Sequence, residues 1–357
     1  MAVKQRKRTL GGVVFALLAA VAASALLLSC LAPYVHPTKH PLVMFFGLYF
    51  IPLFLLNILF LLIAIFRHPR ALLITVVALL PTLLLAERFV KFSCGEETPD
   101  GPSVKILTYN LGRYDAGSRK VTPEEAVPAI RSLLAEQDAD IVCLQEFAIK
   151  DTGSLSRFLP DYPYRAWHLF KGQRWFGNVT LSKYPIVEER ALTFPQSRNL
   201  SLVSDIDVDG RTFRIYNCHL ESYSISFTTL VKRLSHRETF TDEVVQVHGR
   251  LREATRRRSE QVSALLESET QSPWLTFLCG DFNDSPVSYT YHQLTHYLKD
   301  SFVEAGCGMG SSYSVLWPML RVDYILLPQE FTAWRHETLR VPWSDHYPVT
   351  TNISLSF

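Results

Sequence analysis

The chain has 357 residues, 48% hydrophobic and 20% charged, which is too apolar for a disordered or nucleic-acid-coating polypeptide. Its near-neutral total of +2 hides an asymmetry. Residues 1–91 hold nine Lys or Arg against one acid, Glu87, whereas 92–357 hold 27 basic against 33 acidic side chains, a surplus that argues against non-specific DNA binding there.

Three apolar runs fill the first ninety residues: 10–32, 42–66 (broken only by Asn57) and 71–86. A bilayer core of about 30 Å needs roughly 20 apolar residues in a helix. The runs predict a membrane region, 1–91, with helices at about 10–32, 42–66 and 71–90, the third lengthened by snorkelling of Arg70 and Arg88. Pro52 and Pro81 are tolerated as kinks, and Asn57 reads as an interhelical hydrogen-bonding residue. The basic clusters at 4–8 and at Arg67–His68–Arg70 both belong on the cytoplasmic side by the positive-inside rule. Everything after Phe92 then faces outward from a bacterial-type cytoplasmic (inner) membrane. A competing reading takes the first run, ending "LLSC" at Cys30, as a lipoprotein signal. Its apolar stretch exceeds the usual signal core, and both readings leave the same side outward.

Residues 92–103 read as a polar linker into a globular part, 104–357. "VKILTYNL" is strand-like. "TPEEAVPAIRSLLAEQ" is helical, with Thr122 as N-cap, Pro123 at the first helical position and Glu125 closing a capping box. "DADIVCLQEF" is a strand buried on both faces. Further strands are "FGNVTLS", "LSLVSDIDV", "RTFRIYNCHL", "WLTFLCGDF", "RVDYILL" and "YPVTTNISL", with an Asp-Gly hairpin turn in "DVDGRTF". A long helix covers roughly 229–268. Strands outnumber helices, and hairpins and crossovers both occur, so the expected fold is an α+β layered sandwich. Cys143, Cys218 and Cys279 lie in apolar runs and read as buried free thiols, and no cysteine spacing suits zinc.

Polar residues gather where these apolar strands stop: Asn110, Glu146, His219, Asp281, Asn283 and Asp323, with Asp345 and His346 in "SDH". Each alone reads as a turn residue or a satisfied histidine. Together they hold the ingredients of metal-assisted phosphoester hydrolysis. Glu146, Asp345 and the amide oxygen of Asn110 are hard donors suited to Mg²⁺ or Mn²⁺. A histidine and an aspartate can activate water, while Asn283 and His219 can hold phosphoryl oxygens. Neither GxSxG nor a P-loop is present.

With "TYN", "LQE", "GNVTLSKYPI", "CHLES", "GDFND", "RVDYIL" and "SDHYPV" in this order, the chain resembles the endonuclease/exonuclease/phosphatase superfamily from about Val104 to Leu355. The resemblance implies a four-layer sandwich of two mixed β-sheets flanked by helices, with the site at one end. It implies Glu146 as the main metal ligand, beside Asn110 and Asp345. Asp281 would orient or deprotonate water, with Asn283 holding the water or the phosphate. His346, oriented by Asp323, would contact the phosphoryl group or act as base. His219 would stabilise the transition state, and Asn178 of the "GNVTLS" segment would join Asn283 and His219 in substrate binding. The base stays open between Asp281 and His346.

Substrate is less legible. The stretch from Tyr223 to Arg258 reads either as a membrane-apposed arm, with Phe227 and Leu230 in lipid and Arg250, Arg252, Arg256, Arg257 and Arg258 near phosphates, or as an ordinary exposed helix face. Anchoring in a lipid bilayer favours a lipid headgroup or another small phosphoester over nucleic acid. An extracytoplasmic nuclease and an inactive binding module are the alternatives. No obligate protein partner is evident.

Overall fold

The computed structural model describes residues 10–92, 101–116, 119–121, 123–154, 162–223 and 240–356. Residues up to Glu87, with Ser285–His292, form one compact unit. Arg88–Asp284 and Gln293–Phe357 form a second.

In the first unit the apolar runs are helical: Leu10–Ser29, Pro41–Leu48, Phe50–Phe66, Leu72–Leu79 and Leu83–Ala86. Leu10–Tyr34 and Pro69–Ala86 are each long and apolar enough to cross a membrane. The run 42–66, expected as one span, instead bends by 64° between Pro41–Leu48 and Phe50–Phe66. Pro52 explains the break. It has no N–H for the Leu48 carbonyl four residues earlier, and its ring crowds that oxygen. The third helix ends at Ala86, short of residue 90, because Val90–Lys91 leave it to pair with Gly308–Met309 as strands. Small residues, Ala19, Ala22, Ala23, Ala64 and Ala78, are buried, whereas Leu17, Val21, Leu59, Leu73 and Leu84 face outward. Small residues inside and large apolar ones outside suit packing in lipid. Asn57 Nδ2 donates to the Ala22 carbonyl at 3.0 Å, the interhelical bond expected of it.

The second unit contains β1 (Val90–Lys91), β2 (Ser103–Asn110), β3 (Asp115–Ala116), β4 (Arg119–Lys120), β5 (Ile141–Ile149), β6 (Tyr164–Phe170), β7 (Trp175–Ser182) and β8 (Ile186–Thr193). It continues with β9 (Leu200–Val208), β10 (Arg211–His219), β11 (Leu275–Asp281), β12 (Lys299–Asp300), β13 (Gly308–Met309), β14 (Asp323–Leu327), β15 (Thr332–Thr338) and β16 (Val349–Ser354). Two six-stranded sheets result, in the orders β15-β16-β2-β5-β7-β6 and β12-β14-β11-β10-β9-β8. Both are mixed. β2 runs parallel to β5 and β10 to β11, and the remaining neighbours are antiparallel.

Each parallel pair is joined across a helix, as parallel strands require. Pro123–Gln137 lies between β2 and β5, and Phe240–Thr270 between β10 and β11. The first helix puts Ala126, Ile130, Leu133 and Leu134 against the outward residues Leu107, Tyr109, Val142 and Leu144 of its sheet. The second is tied to the other sheet by Ser268 Oγ at 2.8 Å from the Tyr216 hydroxyl. Between the sheets lies the main core, with Val104, Ile106, Ile141 and Cys143 facing Ile206, Phe213, Ile215, Phe277 and Ile325. Helix, sheet, sheet and helix make the four layers.

Every strand expected from the sequence is present, and the hairpin turns at Asp209 (φ 52°) and Gly210 (φ 86°). β6, β8 and β15 were not foreseen, and all three are sheet edges. An edge half-open to water loses the apolar signature; β8, "IVEERALT", exposes most of its side chains. Cys143, Cys218 and Cys279 are buried and free, whereas Cys307 is disulfide-bonded. Thr122, the basic cluster at 4–8, most of the linker, and Phe227 and Leu230 lie outside the described residues.

Candidate active site

The parallel strand pairs deliver their C-terminal ends to one place. In β10, β11 and β14, His219 pairs with Asp281 and Asp281 with Asp323, so three polar residues stand side by side across one sheet. In the facing sheet Asn110 ends β2 opposite Gln145 of β5. The segment 344–346 closes over them. Ser344 Oγ donates to the Asn110 carbonyl at 2.7 Å and accepts from the His346 backbone N–H at 3.1 Å.

Asp281 is the hub. Its Oδ2 accepts from Asn110 Nδ2 at 2.8 Å and Asn283 Nδ2 at 3.1 Å, and its Oδ1 from the Asn283 backbone N–H at 2.8 Å. Asn283 adopts a left-handed φ of 52° to make this turn, and its Nδ2 also donates to the Leu220 carbonyl at 3.0 Å. His346 lies with Nδ1 2.9 Å from Asp323 Oδ2 and Nε2 3.8 Å from Asp281 Oδ2. Burial pushes the Asp281 carboxyl above its ordinary value, and Asp323 adds to the rise. Burial alone would lower His346, but the Asp323 and Asp281 carboxylates outweigh it and hold the imidazole well above its ordinary value. His346 thus lies between two carboxylates that favour its charged form.

Glu146 stands across from this pair. Sequence reasoning put it at a strand end; it lies inside β5, where the register with β7 slips between Leu144 and Phe147. Its φ of 48° marks a bulge that turns its side chain out of the alternation. One carboxylate oxygen lies 3.1 Å from Arg113 Nε and the other 3.5 Å from His219 Nε2. That buried His219 nitrogen and Asp323 Oδ1 have no hydrogen-bond partner among the described residues. Buried polar atoms are rarely left so unless a ligand or water meets them.

Asn110 Oδ1 accepts from the Gly112 backbone N–H at 2.9 Å. A Cβ at Gly112 (φ 52°) would come within 2.5 Å of Asp345 Oδ1 and 3.1 Å of Ser344 Oγ, so the turn needs glycine to bring the Asp345 carboxylate in. Glu146, Asn110 and Asp345 each offer a hard oxygen donor at this end of the sheets, and the His219 nitrogen lies beside Glu146. The residues fit a divalent cation of the Mg²⁺ or Mn²⁺ type. Donor atoms of Asp281, Asp323 and His346 also lie within 4.8 Å of one another. These three are a second group of donors within reach of a cation.

Asn178 is buried in the seam between the sheets, where its Nδ2 donates to the carbonyls of Asn217 at 2.9 Å and Leu200 at 3.3 Å. Only its Oδ1 is left for a substrate contact. Two residues around the site escaped sequence reasoning. Asn217 ties the sheets together, donating to the Leu144 and Val179 carbonyls and accepting from Gln145 Nε2 at 2.8 Å. Arg113 pairs with Glu146. Position was their one signal: Asn217 is two residues before His219, hence on the same face, and Arg113 is three residues after Asn110.

The arginine arm is largely spent within the protein. Arg258 is fully buried against Asp284, at 3.2 Å, and over the Tyr223 ring. Arg256 pairs with Glu253 and Glu260, and Arg257 with Glu253. Arg256 and Arg257 pair along the helix face, Arg258 is buried instead, and Arg250 and Arg252 are exposed.

A family model described as the endonuclease/exonuclease/phosphatase family matches residues 107–346. The chain belongs to the endonuclease/exonuclease/phosphatase family. Residues 12–89 match a second model, described only as a domain of unknown function. No curated protein matches the chain. Among solved structures, an endonuclease/exonuclease/phosphatase from Beutenbergia cavernae is similar at 17% identity and a TM-score of 0.54, covering 72% of each chain. The family protein from Bacteroides vulgatus has 16% identity and a TM-score of 0.54, over 72% of this chain and 100% of that one. D. rerio TDP2, solved with a single-strand DNA product, has 16% identity and a TM-score of 0.52, over 71% and 100%. At such identities these structures establish the shared fold.

Proposed function

We propose that this family member is a membrane-anchored, divalent-metal-dependent phosphoester hydrolase acting on a lipid headgroup or another small phosphoester outside the cytoplasm. One observation carries the reading: the Asn110 bond to Asp281 joins the oxygen donors around Glu146 to the buried Asp281–His346 pair.

Glu146, Asp345 and the Asn110 amide oxygen would hold Mg²⁺ or Mn²⁺, whose chemistry is to neutralise phosphoryl charge. Asp281, raised by burial, is a better proton acceptor than an ordinary carboxylate. Asp323 and Asp281 favour the charged form of His346, which would leave Asp281 as the base for the attacking water. His346 donates from Nε2 to a phosphoryl oxygen, and Asp323 holds it by Nδ1. Asn283 spends its Nδ2 on Asp281 and Leu220, so its task is to fix the base. His219 Nε2, with no hydrogen-bond partner among the described residues and Glu146 3.5 Å away, would donate to charge developing on phosphoryl oxygen.

The outward placement is supported by Arg67 and Arg70 in the connection after Phe50–Phe66, and by the disulfide at Cys307, a bond that persists in oxidising compartments. A second reading, an extracytoplasmic nuclease, is favoured by the similarity to TDP2 with its DNA product. The full-length protein in detergent, with Mg²⁺ or Mn²⁺, is to be offered bis-p-nitrophenyl phosphate, p-nitrophenyl phosphate, DNA and phospholipid vesicles. Hydrolysis of a small ester or lipid, abolished by chelation and by Glu146→Gln, is expected. DNA cleavage alone would promote the nuclease. Inactivity on every substrate with the cation bound would make the chain a binding module.

A further inference from the structure

Beside Glu146 two cations converge on one ring. The Arg113 guanidinium carbon lies 4.5 Å from the centroid of Phe176, and that of Arg198 lies 5.6 Å from it. The two guanidinium groups are thus within about 10 Å of each other, close enough for repulsion to be felt inside one Debye length. They come from distant parts of the chain. Arg113 sits in the Gly112–Tyr114 turn after β2, Phe176 in β7, and Arg198 just before β9.

Scattered exposed arginines need no explanation, but this pair does. Arg113 is held in a left-handed backbone conformation (φ 52°) that a side chain rarely adopts, a strain that clusters at ligand-binding sites. Its side chain is 57% exposed, with Nε on Glu146. Among the described residues no other hydrogen bond or ion pair engages Arg113, and none engages Arg198. Apart from Arg113 Nε, the N–H donors of the two guanidinium groups are left for a ligand, over a ring that attracts both cations. One carboxylate, Glu146, pairs with the first of these two cations. Once Glu146 is committed to a divalent cation, this side of the site carries a surplus that one phosphodiester charge does not balance.

We propose that Arg113 and Arg198, splayed on Phe176, form a second anion subsite that takes a negatively charged group adjoining the scissile phosphate. This rests on the phosphoester-hydrolase reading and narrows it to polyanionic small esters, such as diphosphates or doubly charged headgroups. Polynucleotides share the adjacent phosphates, so the test separates them.

Binding is read first, on full-length protein in detergent, with the divalent cation bound and again with chelator, so that binding through the cation is separated from binding to the arginines. Inorganic pyrophosphate is expected to bind at least tenfold tighter than inorganic phosphate, with the preference weakened by salt. Arg198→Gln should erase most of that preference at an unchanged melting temperature. Equal affinity for the two anions, or an Arg198→Gln protein that keeps the preference, overturns the subsite. So does a single-strand oligonucleotide that binds in an Arg198-dependent way where pyrophosphate does not. The second arm compares kcat/KM for a diphosphate ester with that for bis-p-nitrophenyl phosphate. Arg198→Gln should lower this ratio tenfold or more, mainly through KM, and an unchanged ratio counts against the subsite. Failure of all turnover would sink the hydrolase reading while the pyrophosphate arm still reports on the arginines.

Discussion

Asp323 holds His346 by a single 2.9 Å contact at Nδ1, and this leaves Nε2 directed at Asp281. The pair is nearly sealed from water, so the attraction is screened far less than at a surface. Removing the imidazole takes away a preorganised charge, a loss that typically costs about 10²–10³ in rate, or roughly 2.7–4 kcal/mol. His346→Ala should therefore lower kcat on bis-p-nitrophenyl phosphate by that factor. Asp323→Asn keeps an acceptor for Nδ1 but removes its charge, so a smaller loss, on the order of tenfold, is expected. Circular dichroism should show both variants folded. A His346→Ala enzyme within threefold of the parent would remove His346 from the reacting groups.

Glu146 adopts its left-handed φ at a cost of about 1–2 kcal/mol for a residue bearing a Cβ. Its compensating ion pair with Arg113 is more than half exposed on the arginine side, and such pairs contribute only about 0–1 kcal/mol. Glu146→Gly should abolish activity while raising stability by about 1 kcal/mol, or roughly 2–4 °C in melting temperature. A melting temperature below the parent's would show that the Glu146 side chain more than compensates for its own strain.

What could be read in advance follows from burial. Strands packed on both faces, such as "DIVCLQE" and "LTFLCGD", print continuous apolar runs and were located correctly. Their terminal Asn110, His219 and Asp281 were legible for the same reason, since a polar residue ending an apolar run stands out. The Glu146 bulge was not, because a one-residue slip leaves composition unchanged. The break before Phe50 was hidden likewise: Pro52 announces a kink but not its size. Asn217 looked like one more polar residue in "IYNCHL", and only the facing sheet reveals that it bonds across the seam.

That seam makes Asn217 a stability residue. Its side chain answers the carbonyls of Leu144 and Val179 and the amide of Gln145, all buried. Gln145 Nε2 keeps Thr108 Oγ1 and the Cys143 carbonyl, so truncation removes a donor from the two carbonyls, at about 1–3 kcal/mol for each group left unsatisfied. Asn217→Ala should lose at least about 2 kcal/mol in chemical unfolding, with the same loss in chelator as in Mg²⁺. A loss below about 1 kcal/mol would mean that water replaces the amide there.

His336 sets an acid limit on the fold. It is buried, with Nδ1 2.9 Å from Ser301 Oγ, and burial lowers it to about 3, Arg321 assisting and Asp300 opposing. The unfolded chain would bind this proton near pH 6.5. Between those values the unfolded state holds more protons, so stability rises with pH. The contribution from neutral His336 is fully present above about pH 6.5, falls away as the pH drops, and stops changing below about 3. Its share of the slope approaches about 1.4 kcal/mol per pH unit midway. Melting curves between pH 6.5 and 4.5 should therefore fall less steeply for His336→Gln than for the parent, even if the variant starts lower. Parallel curves would show that His336 stays charged in the folded protein, with Asp300 outweighing its burial.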